Sequence, residues 1–157
     1  MYLAIVVALM FVLPIASVTY ELAGASAAFS WLVVGKWFAF WSVGIRLFSA
    51  GLRQIIQPRY TAQVILGLKG EESLILVREL GFANLAMGLL GLLSLLFAGW
   101  RAAAVLVGGV FYALAGVNHM LHPHRGKLEN VAMVSDLWAA SVLLASLVGM
   151  LPARAAS

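Results

Sequence analysis

The chain has 157 residues, of which 64% are hydrophobic and 10% are charged. A domain of this size cannot cover so much apolar surface, which excludes a soluble globular protein and predicts an integral membrane protein. The net charge of +4 comes from basic residues near helix ends and in the joins between helices, where they indicate topology and lipid headgroup contacts and no nucleic-acid partner. The chain has no cysteine, which excludes disulfides and thiolate sites.

Five apolar stretches are long enough to cross a hydrocarbon core, which takes about 20 helical residues. They cover residues 2–20, 29–55, 74–99, 102–121 and 131–151. Little chain remains between them, so we expect one transmembrane domain over residues 1–157. The predicted fold class is all-α, an integral membrane helical bundle of five transmembrane helices.

The first stretch has two readings. It is followed by Ala23-Gly24-Ala25 and by residues 25–27, which resemble signal-peptidase sites, and cleavage there would leave four helices. A basic segment before the apolar run is missing, and the run is longer than a typical signal sequence, so we expect a retained helix. Pro14 predicts a kink in it or a close approach to a neighbour.

The joins between the helices predict the orientation. One side of the membrane receives the amino terminus and the two joins at residues 54–73 and 122–130, and it holds most of the basic join residues: Arg59, Lys69, Arg125 and Lys127. The other side holds only Lys36, Arg101 and Arg154. Because basic residues collect on the cytoplasmic side, we expect the amino terminus in the cytoplasm.

With this topology, polar residues that are distant in sequence converge on the cytoplasmic third of the bundle. This polar layer consists of Arg46, Arg53, Glu79, Asn84, Asn118, His119 and Asp136. A charge at the centre of a membrane helix costs about 2.5–3.5 kcal/mol, so these groups need internal partners or water. We expect Arg46 to pair with Glu79 or Asp136, and Glu21 to pair with Lys36 near the opposite surface. The layer is either a structural network or a site for a ligand, proton or ion.

Two histidines at the end of the fourth stretch suggest separate uses. His119 and His122 are three residues apart and share a helix face, which leaves a metal site as a weak alternative to no metal. His119 alone suits hydrogen bonding or proton exchange, because imidazoles titrate near neutral pH. We expect it to contact Asp136 or Glu79.

Glycines seven residues apart mark helix faces of close contact. The pairs are Gly44 and Gly51, Gly81 and Gly88, and Gly109 and Gly116. We call these faces the glycine seam; they predict close helix packing, with Leu92 pointing outward. Asn84 lies on the seam and is expected to hydrogen-bond across it. On the second helix the seam runs beside Trp37, Trp41 and Phe48, where a flat apolar ligand such as a quinone is an alternative to helix packing.

The longest join connects the second and third helices. Its portion from Thr61 to Leu68 is apolar enough to lie on the membrane surface, with Arg59 and Lys69 toward headgroups. We expect this portion to form a lid over the polar layer.

The run Glu79-Leu80-Gly81-Phe82-Ala83-Asn84-Leu85, together with residues 115–119 and Asp136, resembles a family of small uncharacterised bacterial integral membrane proteins. The resemblance rests on an E-x-G-F-A-N-L motif, spans roughly residues 37–144 and is distantly DoxX-like. It implies the bacterial cytoplasmic (inner) membrane and shared polar positions at Glu79, Asn84, His119 and Asp136. It implies no particular activity and no cofactor.

Two classes of function remain open. In the first, the polar layer binds a small molecule, such as a quinone or a lipid headgroup, or passes an ion or proton. In the second, the same residues only join helices, and the protein is a structural or accessory subunit that forms homo-oligomers or docks on a larger membrane complex. No catalytic nucleophile is evident, so we do not expect an enzyme.

Overall fold

A computed structural model of the chain describes residues 2–24 and 29–155, with side chains as far as residue 150. The described backbone is helical and contains no strand. Five helices are long and apolar enough to cross a membrane, which confirms the predicted all-α membrane bundle. We label them α1 (Tyr2–Gly24), α2 (Trp31–Ile56), α3 (Glu72–Leu96), α4 (Arg101–Leu121) and α5 (Lys127–Ala155).

The outward faces of the helices are apolar. Leu76, Leu114 and Val148 are each 67% exposed, and many other leucines and valines on the five helices are exposed as well. A surface of this kind would aggregate in water, whereas lipid tails solvate it. The arrangement therefore fits a bundle that is surrounded by hydrocarbon.

The carboxyl-terminal half of α2 packs tightly on α3, and the glycine seam lies at this contact. A Cβ atom on Gly88 would lie 2.3 Å from the backbone nitrogen of Phe48, and one on Gly51 would lie 2.6 Å from that of Leu85. The backbones approach so closely only because no side chain stands between them. The groove beside Gly51 is filled by α3. The face of α2 where a flat quinone would bind is therefore occupied by helix packing.

The prediction that Leu92 points outward is wrong. A Cβ atom on Gly44 would lie 3.2 Å from Cδ2 of Leu92 and 2.9 Å from its backbone nitrogen. Leu92 follows Gly88 by four residues, so both share the helix face that meets α2. The glycines of α4 differ, because Gly109 and Gly116 face flexible leucine side chains of α5 and no backbone within 3.0 Å.

The first helix contributes directly to the core. Val6 and Met10 are almost fully buried, and so is Pro14. Pro14 has no N–H to donate to the carbonyl of Met10, and the indole of Trp138 on α5 donates to that carbonyl at 3.0 Å. This confirms the predicted close approach at Pro14. Whether the helix is retained in the cell stays a prediction, and residues 25–27 of the possible cleavage sites lie outside the described residues.

Both α1 and α2 contain a turn of wider, π-helical hydrogen bonding. These turns cover Ala8–Val12 and Ala39–Ile45. In the second, the buried hydroxyl of Tyr112 on α4 donates to the carbonyl of Ser42. Such turns change the direction in which the following side chains point, and Arg46 follows the second one directly.

The predicted pair near the opposite surface is confirmed. The ammonium of Lys36 forms an ion pair with Oε2 of Glu21, and the indole of Trp37 donates to the same oxygen at 2.6 Å. Glu21 of α1 and Lys36 of α2 therefore neutralise each other at this end of the bundle.

The join between α2 and α3 contains a short helical stretch, Tyr60–Ile65, which we call the join segment. Thr61 and Ala62 are buried against the bundle, and Ala62 packs with Leu74 and Val77. The predicted position of this portion on the membrane surface stays a prediction. After it the chain turns at Gly67, which has a φ of +67°. The join segment is therefore anchored to α3.

Candidate functional site

A cavity of about 410 Å³ lies between α1, α2, α4, α5 and the join segment. Its polar lining comprises Tyr2, Arg46, Ser49, Arg53, Gln54, Tyr60, Thr61, Tyr112, Asn118, His119 and Asp136. Apolar side chains line the rest, among them Leu9 of α1, Leu47 of α2, Leu80 of α3 and Phe111 of α4. The volume is in the range of small-molecule pockets. Five of the residues predicted from the sequence thus meet around one space: Arg46, Arg53, Asn118, His119 and Asp136.

The deepest charges of the cavity form the predicted ion pair. Nη2 of Arg46 lies 3.8 Å from Oδ1 of Asp136, and the two side chains are only 13% and 8% exposed. This distance neutralises charge but is too long for a hydrogen bond. Nε of Arg46 and Oδ1 of Asp136 are buried without a hydrogen-bond partner. A donor and an acceptor therefore remain unsatisfied side by side.

Arg53 is held in a different way. Its guanidinium lies over the ring of Tyr60, with the central carbon 3.6 Å from the ring centroid. Among the side chains that the structure describes, no carboxylate forms an ion pair with Arg53. The stacked tyrosine covers one face of the guanidinium and leaves its N–H edges available.

The partner of His119 is Glu129, and the predicted contact with Asp136 or Glu79 is wrong. Nδ1 of His119 lies 3.1 Å from Oε1 of Glu129, and Nδ1 of His122 lies 2.8 Å from the same oxygen. Because α5 begins at Lys127 rather than at the predicted residue 131, Glu129 is in its first turn, where a carboxylate is favoured by the helix dipole. Glu129 precedes Asp136 by seven residues, or two helical turns, so the two carboxylates share one face of α5. This spacing was the sequence signal from which Glu129 could have been predicted.

The two histidines do not converge as metal ligands. Both present Nδ1 to one oxygen atom, and among the described residues no group of three histidine, aspartate or glutamate side chains is placed to hold a metal ion. Arg125 closes the end of α4 by donating from Nη1 to the carbonyl of His122 at 2.7 Å and to that of His119 at 3.0 Å. The cluster therefore locks the α4–α5 connection beside the cavity.

The cavity reaches the surface of the bundle at two of its lining residues. Ser49 of α2 and Asn118 of α4 both line it, and both are exposed. On the other side, Tyr60 and Thr61 of the join segment cover it. This agrees with the expected lid over the polar layer, although the segment is partly buried.

A family model described as a family of unknown function, DUF6790, matches residues 1–151. The chain belongs to this family. No curated protein and no solved structure matches the chain. Membership of DUF6790 confirms the uncharacterised family, while the E-x-G-F-A-N-L motif and the DoxX-like relation stay predictions.

One residue of that motif lies outside the cavity of this DUF6790 protein. Glu79 is exposed and does not line the cavity, so its predicted place in the polar layer is wrong. It precedes Gly81 by two residues, which is about 200° around a helix of 3.6 residues per turn. Because Gly81 faces α2, Glu79 points away from the bundle.

Asn84, the other polar residue of the motif, joins two helices. It is 3% exposed, and its Nδ2 donates to Oε1 of Gln54 on α2 at 2.8 Å. This is the predicted hydrogen bond across the glycine seam. Asn84 itself does not line the cavity, but Gln54 does, so the bond fixes a lining residue that the sequence analysis missed.

Replacing Glu129 with glutamine is expected to change the nitrogen NMR signals of both His119 and His122, because both rings contact its carboxylate. The matched control is Glu79→Gln, an equal change at an exposed carboxylate on α3, which should leave both signals in place. Movement of the His119 signal in Glu79→Gln, with none in Glu129→Gln, would contradict the observed pairing.

Proposed function

We propose that this protein binds a small amphipathic molecule in the membrane, within the cavity between α1, α2, α4 and α5. In this view it is a ligand-handling membrane protein, and the polar layer is its binding site. The site lies on the cytoplasmic side of the bacterial inner membrane, in the orientation that the basic joins favour. The DUF6790 description assigns no activity to the family.

One observation carries the proposal. Nε of Arg46 and Oδ1 of Asp136 are both buried without a hydrogen-bond partner, in two side chains whose closest charged atoms, Nη2 and Oδ1, are 3.8 Å apart. Each unsatisfied buried polar group costs about 1–3 kcal/mol, so a purely structural network would be expected to close this gap. A group that both accepts and donates, such as a hydroxyl or an amide of a ligand, satisfies both atoms at once.

The walls of the cavity favour an amphipathic molecule over a bare ion or proton. Leu9, Leu47 and Phe111 form an apolar surface beside the charged groups. Two lining residues on membrane helices, Ser49 and Asn118, are exposed, and we infer that an apolar molecule enters the cavity beside them from the bilayer. Pockets for small molecules combine an apolar lining with a few polar groups in this way.

The glycines weigh against the alternative of a structural or accessory subunit. That role needs glycine faces that point outward and can receive a partner helix. Gly44, Gly51 and Gly88 instead contact backbone atoms within the same bundle. Because these glycines lie in the contact between α2 and α3, they are not available to a partner helix.

The test is to fill the cavity and then examine the protein extracted from native membranes. Ala115 of α4 lines the cavity, whereas Ala103 of the same helix is exposed, so Ala115→Phe and Ala103→Phe form a matched pair. In native mass spectra, we expect a bound species on the wild type and on Ala103→Phe that is lost from Ala115→Phe. No bound species on the folded wild type, or equal retention in both variants, would overturn the proposal.

A further inference from the structure

We propose that the occupant of the cavity is an anionic amphiphile, with a carboxylate or phosphate head bound by Arg53 and an alkyl part along the apolar wall. This inference rests on the proposed function, because it names the class of molecule that the same cavity takes. Two kinds of molecule have an anionic head on an apolar chain: a free fatty acid and a lipid with a phosphate group.

The charges around the cavity leave Arg53 uncompensated. Two guanidiniums, those of Arg46 and Arg53, line the cavity with a single carboxylate, Asp136. Asp136 lies beside Arg46, at 3.8 Å. Glu129, which contacts the lining residue His119, is engaged by two imidazoles. One positive charge therefore remains for an anionic group of the ligand.

Arg53 is also oriented in advance. Its guanidinium lies over Tyr60 at 3.6 Å, and the join segment that carries Tyr60 is anchored by Ala62 against α3. Stacking leaves the planar N–H edges free, and these edges match the oxygen atoms of a carboxylate or phosphate. A guanidinium held in this way loses little side-chain freedom when it binds an anion.

The apolar part has a defined place as well. Arg46 precedes Arg53 by two helical turns, about 10 Å, so a head at Arg53 leaves space toward Arg46 and Asp136 for the rest of the molecule. A hydroxyl or amide between the head and the chain would meet the two unsatisfied atoms there. Leu9, Leu47 and Phe111 line that space. The chain would leave the cavity beside Ser49 and Asn118, the two lining residues that are exposed on α2 and α4.

The experiment measures binding of three probes with equal alkyl chains to the full-length protein in neutral detergent micelles. The probes are decanoate, decyl phosphate and decanol, and calorimetric titration gives each dissociation constant. We expect at least one of the anions to bind about ten-fold or more tightly than decanol. Tighter binding of decanoate would identify a fatty acid as the source of the head group. Tighter binding of decyl phosphate would identify a lipid phosphate.

Two variants assign the preference to Arg53. Arg53→Gln should bind the anions no better than decanol while its affinity for decanol stays unchanged, and Arg53→Lys, which keeps the charge without the planar edges, should lose part of the preference. The control is Arg59→Gln, because the Arg59 side chain is 68% exposed, pairs with Glu71 and does not line the cavity. Its affinities should equal those of the wild type.

The outcomes separate the two proposals. If decanol binds the wild type as tightly as both anions do, or if Arg53→Gln keeps the preference for an anion, the anionic class is overturned and the cavity remains a ligand site. If none of the three probes binds the folded wild type and native extracts carry no bound species, the proposed function fails together with this inference.

Discussion

Replacing Gly88 with leucine is expected to lower the free energy of unfolding by about 3 kcal/mol or more, because the added side chain has no space at the α2–α3 contact. Even the Cβ atom of an alanine would lie 2.3 Å from the backbone nitrogen of Phe48, so a helix must move to admit it. Gly88→Ala should therefore already destabilise the protein. Thermal unfolding in detergent micelles, monitored by size-exclusion chromatography, measures both changes.

The control for this substitution is Ala86→Leu on the same helix. Ala86 is exposed on the apolar outer surface, so a leucine there should change the stability by no more than about 0.5 kcal/mol. Leu92, which the helical pattern predicts as outward, is unsuitable because it packs against Gly44. Equal destabilisation by Gly88→Leu and Ala86→Leu would show that the close approach of α2 and α3 does not support the fold.

Replacing Asp136 with asparagine is expected to destabilise the protein by about 3 kcal/mol, because it leaves the guanidinium of Arg46 buried without a counter-charge. Reversible denaturation in mixed micelles measures the loss. The comparison is Glu71→Gln, which breaks the ion pair between Arg59 and Glu71. That pair is shorter, at 3.1 Å, but its side chains are 68% and 72% exposed, so its loss should cost less than about 1 kcal/mol.

The double variant Arg46→Met with Asp136→Asn completes the test. Removing the arginine also removes the uncompensated charge, so the double variant should recover most of the stability that Asp136→Asn loses. Additive losses in the two single variants would mean that Arg46 and Asp136 act independently. In that case the ion pair would not be a unit of this fold.

Much of the fold follows from local patterns in the sequence. Hydropathy alone located the five membrane helices, and the spacing of Gly44, Gly51 and Gly88 identified helix faces of close packing. The depth of polar residues in their helices was sufficient to gather Arg46, His119 and Asp136 around one cavity. These properties depend on helix period and length, which the sequence specifies directly.

The partners of the polar groups were harder to predict. Depth along a helix places Glu79 in the polar layer, but the rotation of α3, which the packing of Gly81 on α2 determines, turns Glu79 outward. Glu129 became the partner of His119 because α5 starts earlier than its apolar stretch does. Neither the rotation nor the early start can be read from hydropathy.

The sequence by itself therefore determined the membrane class, the helices, the closely packed glycine faces and the depth of the charged residues along their helices. Only the tertiary structure decided that Arg46 and Asp136 face a cavity with unsatisfied atoms, that Tyr60 stacks on Arg53 and that Glu129 holds both histidines. The reason is physical. Helix formation and membrane insertion depend on the local sequence, whereas the direction of each side chain depends on how each helix rotates as it packs against its neighbours.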